Sequence, residues 1–239
     1  MRSDLDLVKL NAEFEKSSAV ALLQWALGAF KGKIALASSF GAEDVVLIDI
    51  ILKFDRSIRV VTLDTGRLNE ETYEVMDRVR RQYGISIESY FPEPKAVESL
   101  EFQKGFYSFR ESVENRKECC GIRKVEPLAR ALKGMDAWIT GQRRAQSVTR
   151  TELRKIEKDD AHAGLYKLNP LADWSEDDVW GYIKKNDVPY NRLHDAGYRS
   201  IGCAPCTRAV KPGEDVRAGR WWWENPEHKE CGIHGKPKT

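Results

Sequence analysis

Four of the five cysteines occur as two close pairs, and their spacing is the feature of the sequence most able to carry chemistry. One pair is adjacent, Cys119 and Cys120, and the other is separated by two residues, Cys203 and Cys206. A Cys-x-x-Cys turn that contains proline can direct both sulfurs at one metal ion. Adjacent cysteines diverge on a strand or a helix, so they suit a centre with several metal corners. The two pairs therefore favour an iron-sulfur cluster over a zinc ion.

The fifth cysteine, Cys231, has no cysteine close to it in the sequence and is followed three residues later by His234. A spare thiol of this kind is a candidate nucleophile, because a thiolate attacks electrophilic centres more readily than a hydroxyl does.

The composition limits the class of protein. With 239 residues and 41% hydrophobic content, we expect one α/β domain over 1–239, with a nucleotide-binding core to about residue 197 and a cap and tail from about 198. The net charge of +2 gives no general polyanion signal, so we expect no nucleic-acid partner. We recognise no signal peptide and no apolar run of roughly 20 residues, and we therefore expect a cytoplasmic protein without a membrane partner. Cysteines in that compartment bind metals or catalyse reactions.

The elements that must position these residues repeat a strand, a short turn and a helix. Strands are predicted at 34–38, 59–64, 85–90 and 137–141, and helices at 45–54, 69–83 and 125–132. Two further helices are expected between 5 and 30, with a break near Ser18, and one more from the capping box at Ser175. Short links of this kind imply a mostly parallel sheet flanked by helices, with ligands beyond the carboxyl ends of the strands.

Small and polar residues follow these strand ends. A small-residue turn that leads into a helix can bind an anion, because free amides and the positive end of the helix dipole face it. Arg143 and Arg144 follow the fourth strand and are candidate phosphate ligands. The predicted rim therefore carries Ser38, Ser39, Gly41, Asp64, Thr65, Gly66, Arg143 and Arg144. The run Trp221-Trp222-Trp223 favours packing over the metal centre or at a subunit contact, ahead of a partner-docking patch.

Several motifs together resemble assimilatory adenylyl-sulfate (APS) reductases of the iron-sulfur type. They are Cys119-Cys120 with Gly121-Ile122-Arg123-Lys124, the segment 202–206, Arg217 and Arg220, and the terminal Glu230-Cys231-Gly232-Ile233-His234. The resemblance covers about 33–235. It implies a Rossmann-like adenine-nucleotide α-hydrolase fold, with the pyrophosphate loop at Ser38 to Asp44. It also implies a four-iron, four-sulfur cluster on Cys119, Cys120, Cys203 and Cys206.

The resemblance further implies an activity. Cys231 would attack the sulfur of adenylyl sulfate, with Lys124, Arg217, Arg220 and His234 around the phosphosulfate. The products would be AMP and an S-sulfocysteine, which an external thioredoxin or glutaredoxin-like dithiol would convert to sulfite in sulfate assimilation. The cluster would tune the site through Lys124 and carry no electrons. A homo-oligomer is expected.

Two alternatives stay open at this point. A reductase for the 3′-phosphorylated substrate (PAPS), or an enzyme for both substrates, would share most of these motifs, although that branch generally lacks the four cluster cysteines. A non-redox nucleotide-binding protein with a structural zinc ion on the four cysteines would leave the adjacent pair and the Cys231 tail unexplained.

Overall fold

The computed structural model describes residues 5–147, 150–225, 229–230 and 232–234. Cys231, the predicted nucleophile, lies outside the described residues, so its role stays a prediction. None of the described helices is long and apolar enough to cross a lipid bilayer.

The described chain folds as a mostly parallel six-stranded sheet with flanking helices, which confirms the predicted fold class. The strands are β1 Ile34–Ala37, β2 Arg59–Leu63, β3 Glu88–Tyr90, β4 Ala137–Ile139, β5 Ile156–Asp159 and β6 Leu165–Leu168. The α-helices are α1 Leu7–Phe14, α2 Ala19–Ala29, α3 Ala42–Leu52, α4 Glu70–Tyr83, α5 Pro94–Lys104, α6 Val113–Cys120, α7 Glu126–Ala131 and α8 Glu176–Asn186.

The chain divides into two compact units. The first comprises Met1–Val60 with Gly134–Tyr190, and the second comprises Val61–Lys133 with Asn191–Thr239. The single domain predicted from the sequence, with its core ending near residue 197, stays a prediction.

The first unit contains strands in the order β1-β4-β6-β5. β4 pairs in parallel with β1 and β6, whereas β5 pairs antiparallel with β6. Helix α3 is buried along its whole length except at Glu43, so it has no polar face to show in the sequence. The helix starts expected near Ser18 and at Ser175 are both capped: the Ser18 hydroxyl accepts from the Ala21 amide, and Ser175 forms a capping box with Asp178.

The second unit contains β3, which pairs in parallel with β2, and helices α4 to α7. Helix α4 ends at Gly84, whose left-handed conformation (φ 62°) suits glycine. Helix α6 continues through a π-helical turn, Gly121–Val125, into α7. Among the described residues from 198 onward, the regular structure is one short 3-10 turn, Ala204–Cys206, and one antiparallel bridge between Thr207 and Arg220. The described part of the predicted cap is therefore irregular.

Candidate functional site

The first unit carries the predicted phosphate loop between β1 and α3. The Ser38 hydroxyl is buried and accepts a hydrogen bond from the Phe40 amide at 3.1 Å. Phe40 has a left-handed backbone (φ 58°) and a fully buried ring, so the turn is fixed by the core. Gly41 is the N-cap of α3 and makes no side-chain cap. Gly41 therefore leaves the first amides of α3 without a side-chain acceptor. An anion-binding helix start requires amides of this kind.

Asp44, in the first turn of α3, closes this loop. One of its carboxylate oxygens accepts from the Ser39 amide at 2.6 Å and from the Ser39 hydroxyl at 2.8 Å. Burial raises the pKa of Asp44 to about 6, because desolvation outweighs the two bonds from Ser39. Gly141 lies so close that an added Cβ would overlap the Asp44 carboxylate. The loop therefore has a fixed shape and a carboxyl that titrates near neutral pH.

The two adjacent arginines that follow β4 have partners inside the first unit. Arg143 is 3% exposed and donates to the Glu43 carboxylate at 2.8 Å and to the Trp174 carbonyl at 3.2 Å. Arg144 donates to the Leu153 carbonyl at 2.8 Å and pairs with Glu15. Both guanidinium groups are thus engaged in the fold, and their predicted role as phosphate ligands stays a prediction.

The second unit contains the cysteine cluster, which we define as Cys119, Cys120, Cys203 and Cys206. All four thiols are free and at most 9% exposed, and they share one core with Leu100, Phe109 and Trp221. Cys119 and Cys120 end α6, directly before the π-helical turn, a helix form that is common at functional sites. Cys206 lies in a 3-10 turn that begins after Cys203. The fold thus brings the two predicted pairs together.

The loop after β2 contacts this cluster through a threonine. The Thr65 hydroxyl lies 3.2 Å from the Cys203 sulfur and accepts from the Arg67 amide. The Arg67 carbonyl accepts from the Ala204 amide at 2.8 Å. Asp64 accepts from the Gly66 amide and the Tyr73 hydroxyl, both at 2.9 Å. Of the predicted rim residues, Asp64, Thr65 and Gly66 therefore shape the loop beside the cysteines, and Ser38, Ser39 and Gly41 belong to the first unit.

Arginines that the sequence analysis did not assign surround the cluster. Arg123 is 5% exposed and donates to the Thr65 carbonyl at 2.7 Å and to Glu101 at 2.6 Å. Arg67 donates to the same Glu101 oxygen at 2.8 Å. The position of Arg123 four residues after Cys119, on the same helical face, was the signal available in the sequence.

The pKa values of the thiols reflect both burial and these cations. Burial would raise the pKa of Cys203, but the charges of Lys124 and Arg220 and the bond from Thr65 lower it. Burial raises the pKa of Cys206 to about 11, and the neighbouring Cys203 adds to the rise. The predicted residue Lys124 therefore lies beside the cluster and favours the thiolate form of Cys203.

The surroundings of the cysteine cluster indicate which kind of metal group the four cysteines suit. Within the described ranges, no three His, Cys, Asp or Glu side chains are grouped closely enough to bind one metal ion. A cubane binds each thiolate through a different iron, so its ligands are more widely spaced than those of a zinc ion. Four buried N–H groups around the cysteines have no hydrogen-bond partner among the described residues: Arg123 Nε, Arg220 Nε, Trp221 Nε1 and Trp223 Nε1. Such donors, with the four buried thiols and the nearby cations, fit an iron-sulfur cluster.

The predicted phosphosulfate ligands lie in the same unit. Arg220 is 6% exposed, donates to the Ile201 carbonyl at 3.2 Å and stacks on the Trp221 ring at 4.6 Å. Arg217 donates to the Lys229 carbonyl at 2.7 Å. His234 is half-buried. Trp221 packs in the core that the cysteines share, as predicted, and Trp223 packs against it, whereas Trp222 is 39% exposed.

The mostly parallel six-stranded sheet with flanking helices defines an α/β protein, and in open sheets of this class ligands lie beyond the carboxyl ends of the strands. A family model described as the phosphoadenosine phosphosulfate reductase domain matches residues 33–209. The chain therefore belongs to this family, which confirms the resemblance seen in the sequence.

Individual relatives agree with this assignment. The adenosine 5′-phosphosulfate reductase of Allochromatium vinosum is 58% identical over 84% of this chain and 78% of its own length. That of Pseudomonas aeruginosa is 47% identical over 98% of this chain and 88% of its own. The crystal structure of phosphoadenylyl-sulfate reductase from Candida auris, a phosphate complex, has a TM-score of 0.74 and 29% identity, and covers 88% of this chain and 100% of its own.

Proposed function

We propose that this protein is an oxidoreductase that converts adenylyl sulfate to sulfite and AMP in sulfate assimilation and cysteine biosynthesis. The observation that carries the proposal is the burial of four free thiols in one core with Lys124 and Arg220 beside them. The names of curated relatives at 47% and 58% identity support it.

The cysteine cluster would hold a four-iron, four-sulfur group through Cys119, Cys120, Cys203 and Cys206. When bound, that group supplies a fixed charge distribution beside Lys124 and exchanges no electrons with the substrate. The burial of the four thiols and the nearby cations support this assignment.

The chemical step belongs to Cys231. Its thiolate would attack the sulfur of adenylyl sulfate, forming a sulfur-sulfur bond as the bond between that sulfur and the AMP phosphate oxygen breaks. AMP leaves with the electron pair of that bond, and the enzyme keeps an S-sulfocysteine. Lys124, Arg217, Arg220 and His234 would neutralise the phosphosulfate oxygens, because an anionic thiolate is otherwise repelled by an anionic substrate.

A second thiol must then release sulfite. The four cysteines of the cluster are buried, so we propose an external dithiol protein, thioredoxin or a glutaredoxin-like protein, as the reductant. One of its thiolates attacks the Cys231 sulfur, sulfite leaves with the bonding electrons, and the second thiol reduces the mixed disulfide. Free thiols and a dithiol reductant suit a reducing compartment, so we place the protein in the cytoplasm.

The assembly state is a further part of the proposal. Phe102, Phe106, Tyr107 and Trp222 are exposed aromatic residues of the second unit, and Phe102 is 93% exposed. We propose that a second copy of the chain covers these residues in a homo-oligomer. Light scattering of the purified protein should give a multiple of the 27.3 kDa chain mass.

Side-by-side kinetics with the two nucleotides test the substrate. We expect kcat/KM with thioredoxin to be higher for adenylyl sulfate than for its 3′-phosphorylated form. The family description and the Candida auris enzyme both carry the name of the phosphorylated substrate, which is why this comparison decides the question. An equal or higher kcat/KM for that substrate would overturn the assignment.

A further inference from the structure

Arg116 is a fully buried cation that no part of the proposed reaction uses. It lies on α6, three residues before Cys119, and its side chain is 1% exposed. Its Nε and Nη2 groups donate to the two carboxylate oxygens of Glu224 at 2.9 and 2.7 Å. The guanidinium also stacks on the Trp221 ring at 4.8 Å. A bidentate pair of this type fixes the plane of the guanidinium.

The remaining terminal nitrogen of Arg116 contacts the backbone of the C-terminal segment at Glu230. Nη1 donates to the backbone carbonyl of Glu230, the residue immediately before Cys231. The neighbouring carbonyl of Lys229 accepts from Arg217 at 2.7 Å. Two arginines thus hold two consecutive carbonyls, and of these two, Arg116 lies on the helix that carries Cys119 and Cys120.

The contacts of Arg116 also reach the cysteine cluster. Its side chain hydrogen-bonds to Cys120 as well as to Glu224. Because the guanidinium plane is fixed by Glu224 and Trp221, the donor to Glu230 has a fixed direction. The backbone one residue before Cys231 is therefore tied to the element that presents the cysteines.

We propose that Arg116 is a positioning residue, which fixes the backbone at Glu230 so that Cys231 is aligned for attack on the substrate sulfur. This inference rests on the proposed role of Cys231. Misplacement of a reacting group by about 1 Å lowers the rate on the order of a hundredfold. Even a conservative change at Arg116 should therefore slow the attack by Cys231.

The test compares two reactions of Cys231 in the iron-loaded protein. Sulfonation by adenylyl sulfate, followed as the mass gain of the C-terminal peptide without added thiol, requires alignment. Alkylation of the same cysteine by iodoacetamide requires only a reactive thiolate. Arg116→Lys keeps the positive charge and loses the bidentate hydrogen bonds to Glu224. In this variant sulfonation should slow by about ten- to a hundredfold, while alkylation stays within about twofold of the wild type.

Two further variants make the result decisive. Arg208→Lys is the matched control, because Arg208 also makes a bidentate pair, with Glu214, and should change neither reaction. Glu224→Gln weakens the bidentate pair while Arg116 stays in place, and it should slow sulfonation less than Arg116→Lys does.

The proposal is overturned if iron-loaded Arg116→Lys is sulfonated at the wild-type rate, or if sulfonation and alkylation fall together. Loss of iron from both Arg116→Lys and Glu224→Gln would also overturn it, because Arg116 would then serve only the fold of the cysteine centre. A wild-type protein that forms no adduct at all refutes the proposed function itself, and this inference with it.

Discussion

Replacing Asp44 with asparagine should remove a specific part of the pH dependence of stability. The carboxyl has a pKa of about 6 in the folded protein, against 3.8 for an unperturbed aspartate, because burial disfavours its ionised form. The difference corresponds to about 3 kcal/mol. Since the folded pKa is the higher one, this stabilisation is fully present below pH 3.8 and is lost as the pH rises through about 6.

Urea unfolding of the wild type and Asp44→Asn at a series of pH values measures this effect. Roughly half of the 3 kcal/mol should be lost between about pH 5 and pH 7.5 in the wild type, and the variant should lack that loss. The Gly141 amide also donates to the Asp44 carboxylate, and a side-chain amide offers only one acceptor oxygen. Asp44→Asn will therefore also carry a pH-independent cost, which the comparison of slopes removes.

Asp178→Asn is the control for this experiment. The hydrogen bonds from Ser175 lower the pKa of that exposed carboxyl, so its contribution is present above the unfolded pKa and is lost only as the pH falls below it. The slope of this variant between pH 5 and pH 7.5 should match the wild type. Identical slopes for the wild type and Asp44→Asn would refute the reasoning about the loop.

Two further predictions concern the second unit. Anaerobically purified protein should contain about four irons and four sulfides per chain, and Cys206→Ser should lose them by metal analysis; zinc in their place would contradict the cluster assignment. Arg220→Ala should lower kcat/KM for adenylyl sulfate about ten- to a hundredfold, since a charge-assisted hydrogen bond contributes roughly 1.5–3 kcal/mol. Arg208→Ala is its control, and an unchanged kcat/KM for Arg220→Ala would assign that arginine to the fold alone.

The sequence predicts the parallel part of the sheet well, because strands covered on both faces appear as short apolar runs between turns. The hairpin of β5 and β6 was not predicted, because its strands carry charged residues and do not form apolar runs. Glu157 and Lys167 face each other across these two strands and pair at 3.2 Å, so two charged residues in short segments resembled a loop. The helix predicted from Asn69 is present as α4 with Asn69 at its N-cap, but the Asn69 side chain donates to the Gly202 carbonyl and does not cap the helix.

The cysteines of the site could be predicted because their spacing, which indicates a metal centre, is visible directly in the sequence. The buried charges around them could not. Arg116 and Glu101 lie in charged stretches of helix that resemble solvent-exposed faces, and only the fold shows that Arg116 is buried against Glu224 and that Glu101 bridges Arg67 and Arg123. A pair formed 108 residues apart leaves no local pattern in the sequence.

The central claim is that Cys231 carries the sulfonate between the substrate and the reductant. The most direct measurement is the mass of the C-terminal peptide after the protein is mixed with adenylyl sulfate in the absence of any thiol. The account predicts one added sulfonate group on Cys231, stoichiometric AMP, no free sulfite, and discharge when thioredoxin is added. Cys231→Ser should keep its iron and form no adduct. Sulfite at the normal rate from that variant, or an adduct on Cys203 or Cys206, would contradict the account.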